Sequence, residues 1–358
     1  RGGDHGPYRQ TERLDLYNRY VQQLIDSGDA YRCYCSPEEL ETLREEQKAR
    51  SEMPRYDGRC RHLTHEQEEA YRQEGRQAVI RFRVPEGRTL EVDDLVRGQV
   101  SFESDGIGDF VIVKSDGIPT YNFAVVIDDH TMEISHVIRG EEHLSNTPRQ
   151  LMIYDALGLP RPKFAHVSLI LGKDRSKMSK RHGSTSVVNY VEAGFLPEGL
   201  VNFLALLGWS PEGEEELFSV EELSKMFDLD RVAKNPAVFD MDKLKWINHQ
   251  HIQRRDLEEL TRLAIPFLIR AGYLSGEEAG EKLPWLMGMM EIVRSGLDCL
   301  EEVAERAELF FRSRPREDPE AKDLLKEDYI PGMLSAFVSA LADLEILDPD
   351  GVKAAFKA

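Results

Sequence analysis

The chain has few of the features that mark membrane, secreted or repeat proteins. Its 358 residues contain no apolar run of about 18 residues, so no segment is expected to span a bilayer. Four cysteines are too few for a disulfide scaffold at this length, and we expect a reducing, cytoplasmic environment. Internal repeats are absent, which argues against a solenoid. The remaining composition, 41% hydrophobic and 31% charged, is typical of a globular protein of two or three domains.

Positive charge is also scarce. The 46 lysines and arginines face 65 aspartates and glutamates, a net charge of −19. Binding to nucleic acid by bulk attraction is therefore excluded, and any RNA contact must use a local basic patch. One patch, Arg161 to Tyr190, holds seven lysines or arginines and Asp174 as its single acid. Acidic runs such as Glu212 to Glu216 are expected to lie on faces away from RNA.

Within that patch, residues 171–183 form a segment that we call the basic loop. It reads L-G-K-D-R-S-K-M-S-K-R-H-G, and six of its thirteen residues are Lys, Arg or His. Cations on a glycine-flanked loop can close over a polyphosphate and stabilise a departing pyrophosphate. The loop therefore predicts a catalytic role for Lys177, Ser179, Lys180 and Arg181. From charge alone, a solvated surface loop is the alternative.

Two short motifs predict a metal site. Cys33 and Cys35 form a Cys-x-Cys pair, and Cys60 and His62 form a Cys-x-His pair further along the chain. Thiolate and imidazole are the ligands that zinc prefers, and four protein ligands leave no open position for a water. The prediction is a closed, structural Zn²⁺ site that stabilises a small subdomain. Scattered cysteines without a metal are the alternative.

The middle of the chain reads as mixed α and β structure. Short β-rich pieces separated by turns fill residues 75–116. An apolar helix with a polar end follows, then a buried parallel strand ending at Arg139, a helix from about Asn146, and a last buried strand over residues 163–171. Ligands of open α/β sheets bind at the carboxyl ends of strands, so Arg139 is predicted to hold a substrate carboxylate. A salt bridge to Glu141 or Glu142 is the alternative.

Other residues receive structural interpretations. Asp128, Asp129 and His130 could suggest metal ligands, but a hydrogen-bonded helix end is favoured. In the segment 238–248, an aspartate is predicted to cap a helix, with Leu244 and Trp246 packing in the core and Lys243 and Lys245 contacting an RNA backbone. From residue 254 onward the pattern is helical, and Cys299 is predicted to be buried.

Four motifs, in the same order, resemble those of glutamyl-tRNA synthetases, a family of class I aminoacyl-tRNA synthetases. Residues 177–181 resemble the family's K-M-S-K-S signature in its K-x-S-K-R form. The segment G-P-Y-R-Q-T-E-R at residues 6–13 is similar to G-P-Y-R-Q-S-E-R, and R-G-E-E-H at residues 139–143 is shared. Residues 239–248 resemble F-D-x-x-K-L-x-W-x-N, and some bacterial members share the cysteine–histidine set.

This resemblance implies an α/β fold, with a Rossmann-type catalytic domain that contains an inserted α+β, zinc-containing subdomain for the tRNA acceptor end. Helical stem-contact and anticodon-binding domains follow. The implied boundaries are 1–28 and 111–190 for the two catalytic parts, 29–110 for the insertion, 191–250 for the stem-contact domain and 251–358 for part of the anticodon-binding domain.

The implied reaction is ATP-dependent activation of L-glutamate to glutamyl-adenylate, followed by transfer to the 3′ end of tRNA(Glu). By resemblance, Tyr121 and Arg139 bind glutamate, Glu142, His143 and Lys180 lie beside ATP, and Mg²⁺ shares the charge of the triphosphate. Some members carry an Asn where this chain has Val125. A monomer is expected.

The resemblance also leaves a gap. The family's His-Ile-Gly-His motif does not occur in this sequence. We therefore expect a chain truncated at both ends, whose activity by itself is in doubt, and a non-catalytic tRNA-binding fragment is one competing interpretation. A paralogue that attaches glutamate to the queuosine of tRNA(Asp) is another, although it normally ends soon after the basic loop. A glutaminyl-tRNA synthetase fits the cysteine–histidine set poorly.

Overall fold

A computed structural model describes residues 2–179, 186–312, 319–344 and 349–357. They form two compact units, one comprising Arg1–Tyr190 and Pro197–Asn248, the other Val191–Leu196 and His249–Ala358. The strands are β1 (Ala30–Cys33), β2 (Val79–Phe82), β3 (Thr89–Asp94), β4 (Gly98–Glu103), β5 (Phe110–Val113), β6 (His136–Gly140), β7 (Lys163–Val167), β8 (Ile170–Leu171) and β9 (Ala237–Val238).

The helices follow the same numbering along the chain. They are α1 (Leu14–Asp26), α2 (Pro37–Ala49), α3 (His65–Gln73), α4 (Tyr121–Thr131), α5 (Thr147–Ala156), α6 (Val187–Glu192), α7 (Pro197–Leu206), α8 (Val220–Met226), α9 (Met241–Arg254), α10 (Leu257–Arg270), α11 (Gly276–Glu281), α12 (Leu283–Val293), α13 (Val303–Arg306), α14 (Glu308–Phe311), α15 (Pro319–Leu324), α16 (Ile330–Ala342) and α17 (Pro349–Lys357).

Three sheets organise the first unit. Strands β1, β2 and β5 form an antiparallel sheet in that order, and a four-stranded sheet has the order β4-β3-β7-β6. In the second sheet β3 and β4 are an antiparallel hairpin, whereas β3 and β6 both run parallel to β7. Parallel pairing of β6 and β7 requires a crossover connection, which α5 supplies. The hairpin thus lies within the predicted insertion but pairs with a strand of the predicted catalytic part.

One hydrophobic core joins the three-stranded and the four-stranded sheet to three helices. Tyr17 and Leu24 of α1, Phe123 of α4 and Leu151 of α5 are all at most 1% exposed and belong to the same cluster. The sequence predicted an apolar helix with a polar end, which is α4, and a helix that begins near Asn146, which is α5. Both predictions are confirmed.

Two strand predictions need correction. β6 is parallel, as predicted, but it is not buried, since Ile138 is 56% exposed and β7 is its partner among the described strands. The predicted strand 163–171 is two strands, because β7 pairs with β6 whereas β8 pairs with β9 in a separate two-stranded sheet. At the break, Ser168 Oγ donates to Ala233 O at 2.8 Å and Leu169 N donates to Glu141 Oε1 at 3.1 Å. These contacts replace the sheet ladder.

Helix α9 confirms one prediction and contradicts another. Asp240 Oδ1 accepts from the backbone N–H of Asp242 at 3.0 Å, the expected cap. Leu244 is fully buried, but Trp246 is 44% exposed and does not pack in the core. Residues two apart lie on opposite sides of a helix, so the face that buries Leu244 also buries Ile247 and turns Trp246 outward.

The second unit is helical in its described part. Its core includes Leu260, Leu268, Leu286, Met290 and Val303, from α10, α12 and α13. Asp256 caps α10 by accepting from two backbone N–H groups. Cys299 is buried, as predicted. Across the described parts of both units, no helix is long and apolar enough to cross a bilayer.

The two faces of α9 lead to a stability prediction. Leu244→Ala removes a fully buried side chain and should lower the free energy of unfolding by about 2–5 kcal/mol. Trp246→Ala removes a larger but half-exposed side chain and should cost about 1 kcal/mol. Thermal unfolding of both variants beside the unaltered protein checks the order, and an equal or larger loss for Trp246→Ala would contradict the packing described here.

Candidate active site and metal centre

Arg139 lies near the carboxyl end of β6 and is held by neutral groups. Its Nε donates to His166 Nε2 at 3.2 Å, and its Nη2 donates to Thr147 Oγ1 and to Gln150 Oε1, both at 2.9 Å. Its guanidinium lies over the ring of Phe164, with the guanidinium carbon 5.7 Å from the ring centre. The alternative predicted from sequence, a salt bridge to Glu141 or Glu142, does not occur.

Those two glutamates bind other cations. Glu141 pairs with Arg97, and Glu142 Oε1 accepts from Lys177 Nζ at 3.1 Å. Glu142 folds back over Gly140, and a Cβ at that position would force its carboxylate to move. A backbone hydrogen bond and the contact with Lys177 lower the pKa of Glu142. The R-G-E-E-H motif thus directs one acid toward the hairpin of β3 and β4 and the other toward the basic loop.

The described part of the basic loop is a narrow turn built on β8. Gly172 N donates to Ser176 O at 2.9 Å and Met178 N donates to Ile170 O at 3.1 Å. This places Lys177 beside the R-G-E-E-H motif, so the structure brings together two sites predicted from distant parts of the sequence. Ser179 ends the described part of the loop. Lys180 and Arg181 lie outside the described residues.

The other predicted substrate residues lie near Arg139. Tyr121, at the start of α4, is 51% exposed, and its ring centre lies 5.8 Å from that of His143. Gln150 connects this helix to Arg139, because its Nε2 donates to Asn122 Oδ1 at 3.0 Å while its Oε1 accepts from the guanidinium. Tyr121, Arg139 and His143 therefore surround the same end of β6.

Sequence reasoning missed the buried pair behind Arg139. Asp94, the last residue of β3, and His166, on β7, have fully buried side chains, with 2.6 Å between Asp94 Oδ2 and His166 Nδ1. Burial lowers the pKa of His166 despite the opposing effect of Asp94. Burial alone would raise the pKa of Asp94, but its hydrogen bonds with His166 and backbone N–H groups hold it below its ordinary value. The available signal was a histidine inside an otherwise apolar strand.

The acidic end of α4 is a hydrogen-bonded cluster, as predicted. Asp128 Oδ1 accepts from Arg13 Nε and from Tyr17 Oη, both at 2.8 Å. Asp129 is turned inward, where burial, opposed by Arg139 and reinforced by Asp128, raises its pKa to about 6. Tyr154 Oη donates weakly to it at 3.5 Å. Asp129 is thus an acid close to Arg139 that does not form an ion pair with it.

The structure brings three of the four predicted metal ligands together. The sulfur atoms of Cys33, Cys35 and Cys60 lie within 4.8 Å of one another, the one such cluster of His, Cys, Asp or Glu among the described residues. Tyr56 Oη contacts this cluster, at 3.4 Å from Cys33 Sγ and 3.6 Å from Cys35 Sγ. Contact among the thiols lowers the pKa of Cys33 and raises that of Cys35. Three sulfur atoms this close together are compatible with zinc.

His62 is not part of this cluster. It is exposed, and it lies in a turn rather than in an extended segment. An extended backbone would point residues 60 and 62 to the same side, whereas a turn rotates them apart. Arg61 between them is directed inward, where it forms two hydrogen bonds of 2.6 Å with the buried carboxylate of Asp109.

Two known families match the chain. The family described as tRNA synthetases class I (E and Q), catalytic domain, matches residues 2–246, and the anticodon binding domain family matches residues 259–358. A curated relative, glutamate–tRNA ligase 1 of Caldicellulosiruptor saccharolyticus, is 56% identical over 357 residues, which are 99% of this chain and 74% of that protein. The chain belongs to the glutamate–tRNA ligase family.

Further members of the glutamate–tRNA ligase family agree. The ligase of Carboxydothermus hydrogenoformans is 56% identical over 99% of this chain and 74% of that protein. The crystal structure of a glutamate tRNA ligase from Elizabethkingia meningosepticum, in complex with its amino acid, superposes with a TM-score of 0.84 at 32% identity and covers 99% of this chain and 74% of that chain. The class I synthetase fold predicted from sequence is confirmed. The anticodon-domain match also favours a ligase over the shorter queuosine-modifying paralogue.

The raised pKa of Asp129 leads to a prediction about pH. Its value of about 6 exceeds the unfolded value of about 3.9, so the folded protein binds the extra proton between these pH values. The stability that this group contributes is present at low pH and is lost as the pH rises through 6. Asp129→Asn, which stays neutral, should therefore gain in melting temperature relative to the unaltered protein as the pH rises from about 4 to about 6, and the gain should level off above about pH 7. Parallel melting curves across this range would contradict the buried state of the carboxyl.

Proposed function

We propose that this chain carries the substrate sites for glutamate activation. The observation that supports the proposal is that the guanidinium of Arg139 has no acidic hydrogen-bond partner in the described part of the chain. Among the described residues its hydrogen-bond partners are His166, Thr147 and Gln150, all neutral. A guanidinium that is half-buried yet not neutralised by an acid favours an anionic ligand. A carboxylate of L-glutamate is the ligand that fits, and Tyr121 would pack beside it.

The ion pair between Lys177 and Glu142 supports an ATP site next to it. Lys177 is 63% exposed, so a triphosphate can compete with Glu142 for its ammonium group. His143, whose ring contacts Tyr121, lies between the proposed glutamate and ATP positions. We propose that Lys180 and Arg181 supply further cations from the remainder of the loop, and that Mg²⁺ bound with ATP shares the charge.

Two transfers follow from these positions. A carboxylate oxygen of glutamate attacks the α-phosphorus of ATP, a new P–O bond forms, and the bond to the departing pyrophosphate breaks. A ribose hydroxyl of the terminal adenosine of tRNA(Glu) then attacks the acyl carbon, and AMP leaves. Neither step needs a covalent nucleophile from the protein. Arg139 and Tyr121 orient the substrate, and the loop cations stabilise charge on the pyrophosphate.

We also propose that three parts of the chain bind different regions of the tRNA. Residues 29–110 would hold the acceptor end, 191–250 the stem and 251–358 the anticodon region of the tRNA. One expectation conflicts with the structure, since Lys243 donates to Glu216. The acidic run therefore lies beside a lysine expected to face RNA, and Lys243 could contact RNA only after this ion pair opens. We further propose that the protein acts as a cytoplasmic monomer.

A structural Zn²⁺ ion completes the proposal. Cys33, Cys35 and Cys60 would hold it, and Tyr56 Oη, which also accepts from Cys60 N at 3.1 Å, is the nearest fourth donor. Such an ion would stabilise the link between β1 and the turn at Cys60. It would take no part in the reaction, because the basic loop and Arg139 belong to other elements.

The zinc proposal predicts different effects for the two candidate fourth ligands. The purified protein should contain about one zinc per chain. Tyr56→Phe should weaken zinc retention against a chelator about tenfold, whereas the matched variant His62→Ala should retain zinc like the unaltered protein. Metal analysis after chelator titration checks both. Loss of zinc in His62→Ala alone would show that the turn rearranges to bring His62 to the metal.

The proposed reaction is tested by charging tRNA with labelled glutamate and ATP. The assay uses this chain and the same chain preceded by a segment carrying the His-Ile-Gly-His motif. We expect charging by the extended chain, and Arg139→Lys, which keeps the charge but loses the planar fork, should lower kcat/KM for glutamate on the order of a hundredfold.

Ile138→Val, on the exposed side of the same strand, is the matched control and should charge normally. If neither chain charges tRNA, the activity proposal fails and tRNA binding becomes the better account. If Arg139→Lys charges as well as the unaltered protein, the glutamate site lies elsewhere.

A further inference from the structure

Three neighbouring strands place a row of side chains across the four-stranded sheet. Asp94 ends β3, His166 lies on the central strand β7, and Arg139 lies on β6 directly opposite His166 in the parallel register. Each contacts the next, with 2.6 Å from Asp94 Oδ2 to His166 Nδ1 and 3.2 Å from His166 Nε2 to Arg139 Nε. The side chains of Asp94 and His166 are fully buried. Arg139 lies at the proposed glutamate site.

The hydrogen bonds of this row determine where the histidine proton lies. Asp94 Oδ1 already accepts from the backbone N–H groups of Val96, Arg97 and His166, at 3.1, 2.8 and 3.2 Å. Oδ2 is left to accept from His166, so Nδ1 carries the proton and Nε2 keeps its lone pair. The guanidinium nitrogens of Arg139 have no free lone pair, so this group can only donate hydrogen bonds. With Nδ1 protonated, the imidazole donates to Asp94 and its Nε2 accepts from Arg139, and the hydroxyl of Thr147, 3.1 Å from Nε2, can donate to the same atom.

This arrangement fixes one edge of the guanidinium and leaves the other open. Nε and Nη2 of Arg139 are occupied by His166, Thr147 and Gln150. Among the described residues no hydrogen bond to Nη1 is found, and that atom remains for a ligand. Holding two of three nitrogens in advance lowers the entropy lost when a carboxylate binds.

We propose that Asp94 and His166 are positioning residues for the amino-acid substrate, which act by holding Arg139 in the orientation that receives the glutamate carboxylate. The inference rests on the proposed role of Arg139 in binding glutamate. Neither residue touches the substrate. Their effect passes through the histidine tautomer, which a purely space-filling role would not require.

Asp94→Asn tests the tautomer with almost no change in volume. The three backbone N–H groups retain the amide oxygen at the Oδ1 position, so the amide nitrogen faces His166 and donates to Nδ1. The imidazole proton must then move to Nε2, where it faces the N–H of Arg139. In aminoacylation by the extended chain of the charging assay above, we expect kcat/KM for glutamate to fall about ten- to a hundredfold, with the KM for ATP at saturating glutamate within about twofold of its normal value.

Asp109→Asn is the matched control. Asp109 is another buried carboxylate of the same unit, bonded to Arg61 and Tyr31, and it has no contact with Arg139. Melting temperatures measure the stability that each variant loses. Equal losses of glutamate kcat/KM in Asp94→Asn and Asp109→Asn would show a general structural effect and overturn the proposal.

A double-mutant cycle separates this inference from the proposed function. In an Arg139→Ala background, Asp94→Asn should cause no further loss of kcat/KM for glutamate, because the side chain through which it acts is gone. The same loss in both backgrounds would overturn the positioning role. If Arg139→Ala itself has no effect, the proposed glutamate site fails instead.

A second pair of variants covers the case in which Asp94→Asn does not fold. In His166→Gln the amide oxygen can replace Nε2 as the acceptor for Arg139, whereas in His166→Asn the shorter side chain reaches Asp94 but not Arg139. We expect His166→Gln to retain several-fold higher kcat/KM for glutamate than His166→Asn, on the order of tenfold. Equal values in the two variants would refute the role of Nε2.

Discussion

A single buried carboxylate links the elements on which this site depends. Asp94 closes the turn between β3 and β4 through its bonds with Val96 N and Arg97 N, and it joins that hairpin to β7 through His166. A buried charge is tolerated only when all of its acceptor positions are used, and here four donors use them. Loss of one partner in such a cluster typically costs several kcal/mol, about 3–5 when an uncompensated charge is left behind. The carboxylate of Asp94 therefore holds the β3–β4 hairpin and strand β7 directly, and it holds the guanidinium of Arg139 through His166.

Acidic residues elsewhere in the first unit form ion pairs with cations, including Lys177 and Lys243, which are proposed to contact ATP and RNA. Glu142 binds Lys177, Glu141 binds Arg97, and Glu216 binds Lys243. This is how a protein of net charge −19 can bind two polyanions, because its cations are presented locally and in defined orientations instead of through bulk attraction. Arg139 differs from those lysines, because its contacts are neutral. A carboxylate can bind there without displacing an acid, whereas a phosphate that binds Lys177 must compete with Glu142.

The thiol cluster is supported by a second network. Arg61, next in sequence to Cys60, bonds to the buried Asp109, which also accepts from Tyr31 of β1. The turn at Cys60 is thereby attached to the same strand that ends at Cys33. This attachment explains why three sulfur atoms converge in the protein. It also explains the exposed position of His62, since the inward course of Arg61 rotates the next residue away from the cluster.

The sequence by itself correctly predicted the features that depend only on residues close together in the chain. The apolar character of α4 with its polar end, the cap of α9 by Asp240, the glycine-flanked basic loop and the shared motifs all depend on residues that are close together in the chain. They identified the family and its fold class, and they pointed to Tyr121, Arg139 and His143, but not to the residues that hydrogen-bond with Arg139.

Only the tertiary structure decided features that depend on distant partners. Whether β6 is buried depends on which strands pair with it, and whether residues 163–171 are one strand depends on β9, far along the chain. Trp246 and His62 face outward because the helix and turn that carry them are rotated by contacts elsewhere. The row from Asp94 through His166 to Arg139 joins residues separated by 72 and 27 positions. Strand register alone aligns them, and a register has no local signal in sequence.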